Sequence, residues 1–208
     1  MKYRRIEIEG EALVVAFDMC SSTTLIEELT LAGALRRYDR LVTDVKEHLA
    51  QAQADVLFDP YKFNGDGWIL LFPSDTDGSQ LFDLLRKLCI FYQDALETRV
   101  LRHLAARPSV TGLTFGIDSG PLHAMKIYGQ REYVGRAINV ACRLQGAIKD
   151  NDSSPAYKAL VSNSVYNDYL RASSKLVKVY KVERRLRNIR SGSGFGCKKI
   201  ELLNLRAT

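Results

Sequence analysis

Apolar and polar positions along the chain sort into short continuous apolar runs and longer stretches with helical spacing. The run 12–17 is apolar throughout and stops at Asp18, the pattern of a buried strand. Ser21-Ser22-Thr23-Thr24 then offers N-caps for a helix beginning near Leu25. Helical spacing continues to about Gln53, with a break expected near Gly33. Val56-Leu57-Phe58 opens a second predicted strand that runs on through Tyr61-Lys62-Phe63. Asn64-Gly65-Asp66-Gly67 predicts a tight hairpin, and Trp68-Ile69-Leu70-Leu71-Phe72 the returning strand. Leu81, Leu84, Leu85, Leu88 and Tyr92 fall on one side of a helix predicted from 79 to about 105. A strand over 111–117, a partner over 125–133 and a helix over 135–148 follow. Beyond them, 176–182 and 199–205 read as strands, and Ser191-Gly192-Ser193-Gly194 as a loop. The order strand, helix, hairpin, helix, strand predicts an α/β (α+β) layer with a ferredoxin-like βαββαβ core and a C-terminal strand extension. One sheet face is expected to be covered by helices.

Length and composition narrow this picture. A chain of 208 residues with 46% apolar content supports one domain over 1–208, with its core at about 12–150 and the extension at 151–208. No apolar run is long enough to span a bilayer, and Met1-Lys2-Tyr3-Arg4-Arg5-Ile6 lacks a signal-peptide stretch. The expectation is a cytoplasmic protein without a membrane partner. Cys20, Cys89, Cys142 and Cys197 are scattered, which reads as reduced thiols and not as a zinc site. The net charge of +6 is concentrated between Lys181 and Lys199. Without aromatic interleaving on a strand, that cluster reads as a solvated basic face, and no nucleic-acid partner is expected. His48, His103 and His123 are dispersed and carry no assigned chemistry.

The candidate chemistry sits at the ends of the apolar runs. Asp18 ends the first strand and Asp66 sits at the hairpin tip. Each alone reads as a turn or capping residue. If the two strands are neighbours, the carboxylates meet at one sheet end. They then repel unless a cation lies between them, and Mg²⁺ and Mn²⁺ take carboxylates together with phosphate oxygens. Lys62 stands four residues before Asp66, on the same strand face by the period of two. With Glu132 as its partner it reads either as a base-reading pair or as a surface ion pair. Asn139 and Arg143, at i and i+4, share a helix face, while Ile138, Ala141 and Leu144 pack. An Arg so held can stabilise charge on phosphorus, and an Asn can orient a ribose.

These segments together resemble the class III nucleotidyl (adenylate/guanylate) cyclase catalytic domain. Val14-Val15-Ala16-Phe17-Asp18-Met19-Cys20-Ser21-Ser22-Thr23 resembles its first metal strand, and Lys62-Phe63-Asn64-Gly65-Asp66-Gly67 its Lys-x-x-Gly-Asp hairpin. Gly116-Ile117-Asp118-Ser119-Gly120 and the run from Glu132 to Leu144 resemble its later motifs, in the same order. The resemblance implies a phosphorus–oxygen lyase that converts a nucleoside triphosphate to a 3′,5′-cyclic nucleotide and pyrophosphate. It implies two divalent ions (Mn²⁺ or Mg²⁺) held by Asp18, Asp66 and the backbone carbonyl of Met19. Nucleotide contacts would come from Phe17, Lys62, Glu132, Asn139 and Arg143, with Asn139 and Arg143 serving catalysis. Arg187 or Arg190 would meet the triphosphate. The implied assembly is a head-to-tail homodimer with shared active sites. Free-standing pyrimidine cyclases of the Pycsar anti-phage type are similar in architecture, which implies cyclic UMP or cyclic CMP read by an effector. Small free-standing adenylate cyclases are similar too, so cyclic AMP is the alternative. Glu132 stands where adenylate-forming members often carry Asp. A non-catalytic nucleotide-binding module on the same fold is the rival of another class.

Overall fold

The computed structural model describes residues 4–149, 154–190 and 192–205. The first three residues, the expected core–extension boundary at 150–153, and Ser191 lie outside them. The elements run β1 (Gly10–Met19), α1 (Ser22–Leu31), α2 (Arg36–Ala52), β2 (Asp59–Phe63), β3 (Gly67–Pro73), α3 (Gly78–Arg99), β4 (Leu113–Ile127), β5 (Gln130–Val134) and α4 (Arg136–Lys149). The C-terminal part adds β6 (Lys158–Ser162), β7 (Val177–Arg184) and β8 (Phe195–Leu205). The sheet order is β2-β3-β1-β4-β6-β8-β7, with β5 paired only to β4. The segment β2-β3-β1-β4 is the ferredoxin-like order that the sequence predicts, and β6, β8 and β7 extend it. β4 and β6 run parallel; the other pairs are antiparallel.

Alternation along β1 sets the layers. Leu13, Val15, Phe17 and Met19 join the larger core with Leu25, Leu41, Val45, Leu85 and Leu88 of the helices α1 to α3. Ala12, Val14 and Ala16 point to the other face, where Ala137 and Ala141 of α4 cover them. The expectation that only one face carries helices is therefore corrected: α4 packs on the second face. It comes very close. A Cβ on Gly116 would stand 1.9 Å from the carbonyl oxygen of Ala141, so β4 needs glycine there for the helix backbone to rest on the strand.

Several boundaries move. Helix α1 starts at Ser22, not near Leu25, because Ser21 takes a left-handed conformation (φ 56) instead of capping through its side chain. Its hydroxyl donates to the carbonyl of Val110 at 2.6 Å. Val56 to Phe58 are not strand; β2 begins at Asp59. α3 ends at Arg99, followed by a short 3-10 turn. β4 runs well past 117 to Ile127, and the partner expected over 125–133 divides between the end of β4 and β5. β6 was not foreseen. Both of its faces are covered, Ala159 and Val161 lying in the larger core and Leu160 against Val140 and Leu144 of α4, so Ala159, Leu160 and Val161 show no alternation.

Asp118 of β4 is buried beneath the start of α4. Arg136, the first residue of that helix, stands 3.6 Å from its Oδ2, which accepts no hydrogen bond among the described residues. Burial raises this carboxyl above its ordinary value, against smaller opposing contributions from Ser162, Ser119 and Arg136. The ionised form is therefore disfavoured in the folded state. Whatever stability the group contributes is full below the unfolded value of 3.8 and lost as pH rises through the higher folded value. Asp118→Asn is accordingly expected to raise the midpoint of thermal unfolding at pH 7. The gain should fade as the pH is lowered toward 4. A lower midpoint at pH 7 contradicts this account.

Candidate active site

Gly67 decides how the hairpin meets β1. A Cβ there would stand 2.1 Å from the carbonyl oxygen of Phe17, so only glycine lets β3 begin beside Asp18. The turn closes by Asn64 N–H donating to the Gly67 carbonyl at 2.9 Å, with Gly65 at φ 89. Met19 N–H donates to the Asp66 carbonyl at 3.1 Å, docking the turn on the strand end. Asp18 and Asp66, both half-buried, thus stand at the same end of the sheet, as the spacing predicts. The phenol of Tyr38 senses both: burial first, then the charges of Asp66 and Asp18, push its pKa up to about 12.

Each carboxylate has a partner of its own. The Ser22 hydroxyl, at the first turn of α1, donates to Asp66 Oδ2. Gln145 Nε2, on α4, donates to Asp18 Oδ2 at 3.4 Å and to Thr114 Oγ1 at 2.8 Å. Among the described residues no three His, Cys, Asp or Glu side chains gather as a metal cluster. Two carboxylates and nearby backbone carbonyls are nevertheless hard oxygen donors. They fit an ion such as Mg²⁺, which is held by one or two carboxylates and completed by substrate phosphates.

Lys62 and Glu132 meet on the α4 face of the sheet. Lys62 Nζ lies 3.1 Å from Glu132 Oε2. Tyr61 Oη donates to the same oxygen and accepts the Tyr133 N–H at 2.9 Å. The Tyr61 hydrogen bond first, and the Lys62 one second, hold the Glu132 carboxyl below its usual range. Tyr61 moves the other way, to about 12, through burial and the bond to Glu132. The two directions agree: a protonated phenol donates to an ionised carboxylate. A polar cleft of about 690 Å³ opens beside this group, lined by Arg5, Asp59, Tyr61, Lys62, Arg131 and Glu132.

The contact of both Tyr61 and Lys62 with one carboxylate has a structural cause. The β2–β3 register shifts between Asp59 and Lys62, which breaks the period of two. The expectation that Lys62 shares a strand face with Asp66 is corrected for a related reason. β2 ends at Phe63, Asp66 belongs to the turn, and Lys62 turns to Glu132 instead.

The remaining predicted residues divide. Phe17 is buried and packs on Trp68 and Phe115 with ring centroids 5.4 and 5.6 Å apart, so only its backbone is open to a nucleotide. The Met19 side chain is also in the core, where its sulfur receives the Tyr38 hydroxyl at 3.9 Å. Asn139 and Arg143 are exposed on α4. Arg187 and Arg190 are exposed on the connection from β7 to β8, which packs against Val140 and Leu144 of α4 through Leu186 and Ile189. Sequence reasoning missed Tyr61, Thr114 and Gln145. Gln145 left one signal: it follows Ala137 and Ala141 at i+4 spacing, a polar residue on the face that packs against the sheet.

No family model matches the sequence, and no curated protein does. Solved structures do. The fold is that of class III cyclase catalytic domains. The adenylyl cyclase CyaB from P. aeruginosa superposes with a TM-score of 0.63 at 16% identity, over 92% of this chain and 93% of that one. Adenylate cyclases from Trypanosoma brucei, solved in their monomeric state, include one at a TM-score of 0.67 and 13% identity, over 96% and 93%. The guanylate cyclase domain of RhGC from Catenaria anguillulae, solved in complex with GTP, gives 0.61 at 13% identity, over 95% and 98%. Among the described residues, no helix is long and apolar enough to cross a membrane. Cys20, Cys89 and Cys197 are buried, Cys142 is half-buried, and all four are free thiols.

Proposed function

We propose that the chain is a nucleotidyl cyclase that forms a 3′,5′-cyclic nucleotide and pyrophosphate from a nucleoside triphosphate. The observation that carries the reading is the convergence of Asp18 and Asp66 on one sheet end, enforced by Gly67, within this fold. The two carboxylates and the Met19 carbonyl would hold two divalent ions. Bound there, such ions supply charge neutralisation at the phosphates and lower the pKa of the ribose 3′-hydroxyl. That hydroxyl attacks the α-phosphorus in line and pyrophosphate leaves. Arg143 offsets the charge that develops on phosphorus, Asn139 orients the ribose, and Arg187 or Arg190 meets the triphosphate.

The site requires two chains. Gln145 points from α4 to Asp18 of its own chain. Arg143 stands two positions earlier, roughly 200° around the helix, and so faces away from that carboxylate. A second copy, arranged head to tail, brings its Arg143 and Asn139 to the first copy's metal residues and completes two shared sites.

The base is read by Lys62 as donor and ionised Glu132 as acceptor. That pair suits an edge with an acceptor beside a donor: uracil O4 and N3–H, cytosine N3 and N4–H, adenine N1 and N6–H, or guanine O6 and N1–H. The product assigned is cyclic UMP or cyclic CMP, an anti-phage second messenger read by an effector in the cytoplasm. This step is an argument by analogy to the pyrimidine cyclases that the motifs resemble. Pure protein incubated with each of the four triphosphates and Mn²⁺ tests it: UTP or CTP should be cyclised faster than ATP. A clear ATP preference moves the assignment to an adenylate cyclase with the same metal and transition-state roles. No cyclic product from any of the four overturns the cyclase reading.

The pair itself makes a separate prediction. Lys62→Ala or Glu132→Ala should change the ratio of turnover between the preferred base and its competitors while circular dichroism stays native. Each lost contact is expected to shift that ratio by roughly five- to a hundredfold, since an unpaired polar contact costs about 1–3 kcal/mol. An unchanged ratio in both variants removes the pair from base reading.

A further inference from the structure

α4 reaches the sheet end that carries Asp18 with a polar side chain. Ala137 and Ala141 on the inner face of the helix are small and buried, which brings the helix backbone onto Gly116. Gln145, one turn further on, is half-buried and reaches the end of β1. There the Thr114 hydroxyl is fully buried, opposite Asp18 in the β1–β4 register. Thr114 Oγ1 accepts from Gln145 Nε2 at 2.8 Å and donates to the Asp18 backbone carbonyl at 3.4 Å. The second N–H of the same amide goes to Asp18 Oδ2 at 3.4 Å. A small ring of hydrogen bonds thus grips Asp18 at both its carbonyl and its carboxylate. Both donors of the Gln145 amide are used, one on Asp18 and one on Thr114. The ring is not needed to keep the helix on the sheet, since Ala137, Ala141 and Val140 already pack there.

We propose that Gln145, seated on Thr114, is a positioning residue that presents the Asp18 carboxylate to a divalent cation. The proposal rests on the reading of Asp18 as a metal ligand. The physical reason is that an ionised carboxylate on a strand end can rotate about its side-chain torsions. An amide donor on one oxygen fixes the rotation and leaves lone pairs of both oxygens available to the ion. The donor is neutral, so it orients the carboxylate without competing with the cation through its own charge. The ring also gives α4 two duties on opposite sides: its inner side sets Asp18 of its own chain, and its outer side carries Arg143 to the partner's site.

The test uses the full chain and Mn²⁺ as the probe. Free Mn²⁺ is followed by electron paramagnetic resonance in titrations of the wild type, Gln145→Met and Thr114→Val. Methionine keeps the length of the side chain, and valine keeps the shape of threonine, so at least one variant should fold as the wild type does. Loss of an outer-shell partner typically weakens metal affinity by about 10- to 100-fold. A shift of about tenfold or more is expected for Gln145→Met, and a smaller shift in the same direction for Thr114→Val. The Mn²⁺ concentration for half-maximal turnover should rise in parallel, with little change in kcat at saturating metal. In mixed dimers with a single complete site, the shift should follow the chain that supplies Asp18. A lowered unfolding midpoint with unchanged Mn²⁺ affinity in the folded variants overturns the proposal and leaves the cyclase reading intact. A wild-type chain that neither binds Mn²⁺ nor cyclises any triphosphate overturns that reading and this inference with it.

Discussion

Asp18→Ala and Asp66→Ala should each abolish cyclic nucleotide formation while leaving the fold in place. The expected loss is roughly a thousandfold or more, because the charge stabilisation a catalytic metal supplies is several kcal/mol and each 1.36 kcal/mol is tenfold in rate. Stability is expected to hold because both groups are only half-buried and neither belongs to a hydrophobic cluster. Removing one carboxylate also relieves repulsion between like charges that share a sheet end. Asp66→Ala leaves the Ser22 hydroxyl without its acceptor, at a cost of about 1 kcal/mol. Thermal unfolding and product assay on the same samples check both halves of the expectation. Near-wild-type product yield from either variant removes the carboxylates from the site.

Mixing two inactive proteins should restore activity. On the proposed shared-site reading, Asp66→Ala would disable the metal half of a chain, and Arg143→Ala the half that α4 would offer to its partner. A dimer made of one of each holds one site with neither defect and one site with both. Random exchange makes half of the dimers mixed, so the recovered rate is expected at roughly a quarter of the wild-type value for the same total protein. Labelled subunits should confirm that exchange has occurred. With exchange demonstrated and no recovery, the shared site is wrong, and Arg143 must act on Asp18 of its own chain or not at all. The orientation of Gln145 argues against the first option, since one helix cannot aim residues two apart in the same direction.

The features that were legible in the sequence have local causes. The apolar run before Asp18 gives β1 because a strand with helices packed on both sides of the sheet buries both faces. Asn64-Gly65-Asp66-Gly67 gives the turn because Gly65 takes the positive φ that the turn requires. The i and i+4 spacing puts Asn139 and Arg143 on one exposed helix face. What stayed hidden depends on contacts between distant segments. β6 is too short and too uniformly apolar to be told from other segments by period alone. The start of α1 at Ser22 follows from a left-handed Ser21 tied to Val110, 89 residues away.

The candidate site divides along the same line. The sequence by itself determined which groups are the candidates for the chemistry: two carboxylates at strand and turn ends, a Lys and a Glu, and an Asn and Arg one helical turn apart. It did so because strand and helix periods act over a few residues and residue type fixes charge. Only the tertiary structure decided how those groups are held. The register shift in β2 turns both Tyr61 and Lys62 onto Glu132, and their hydrogen bonds favour its ionised form. The bare backbone of Gly116 lets α4 lie on the second sheet face, near enough for Gln145 to reach Asp18 across 127 residues of chain. Such pairings depend on packing distances of a few ångströms between elements, and no local pattern along the chain encodes them.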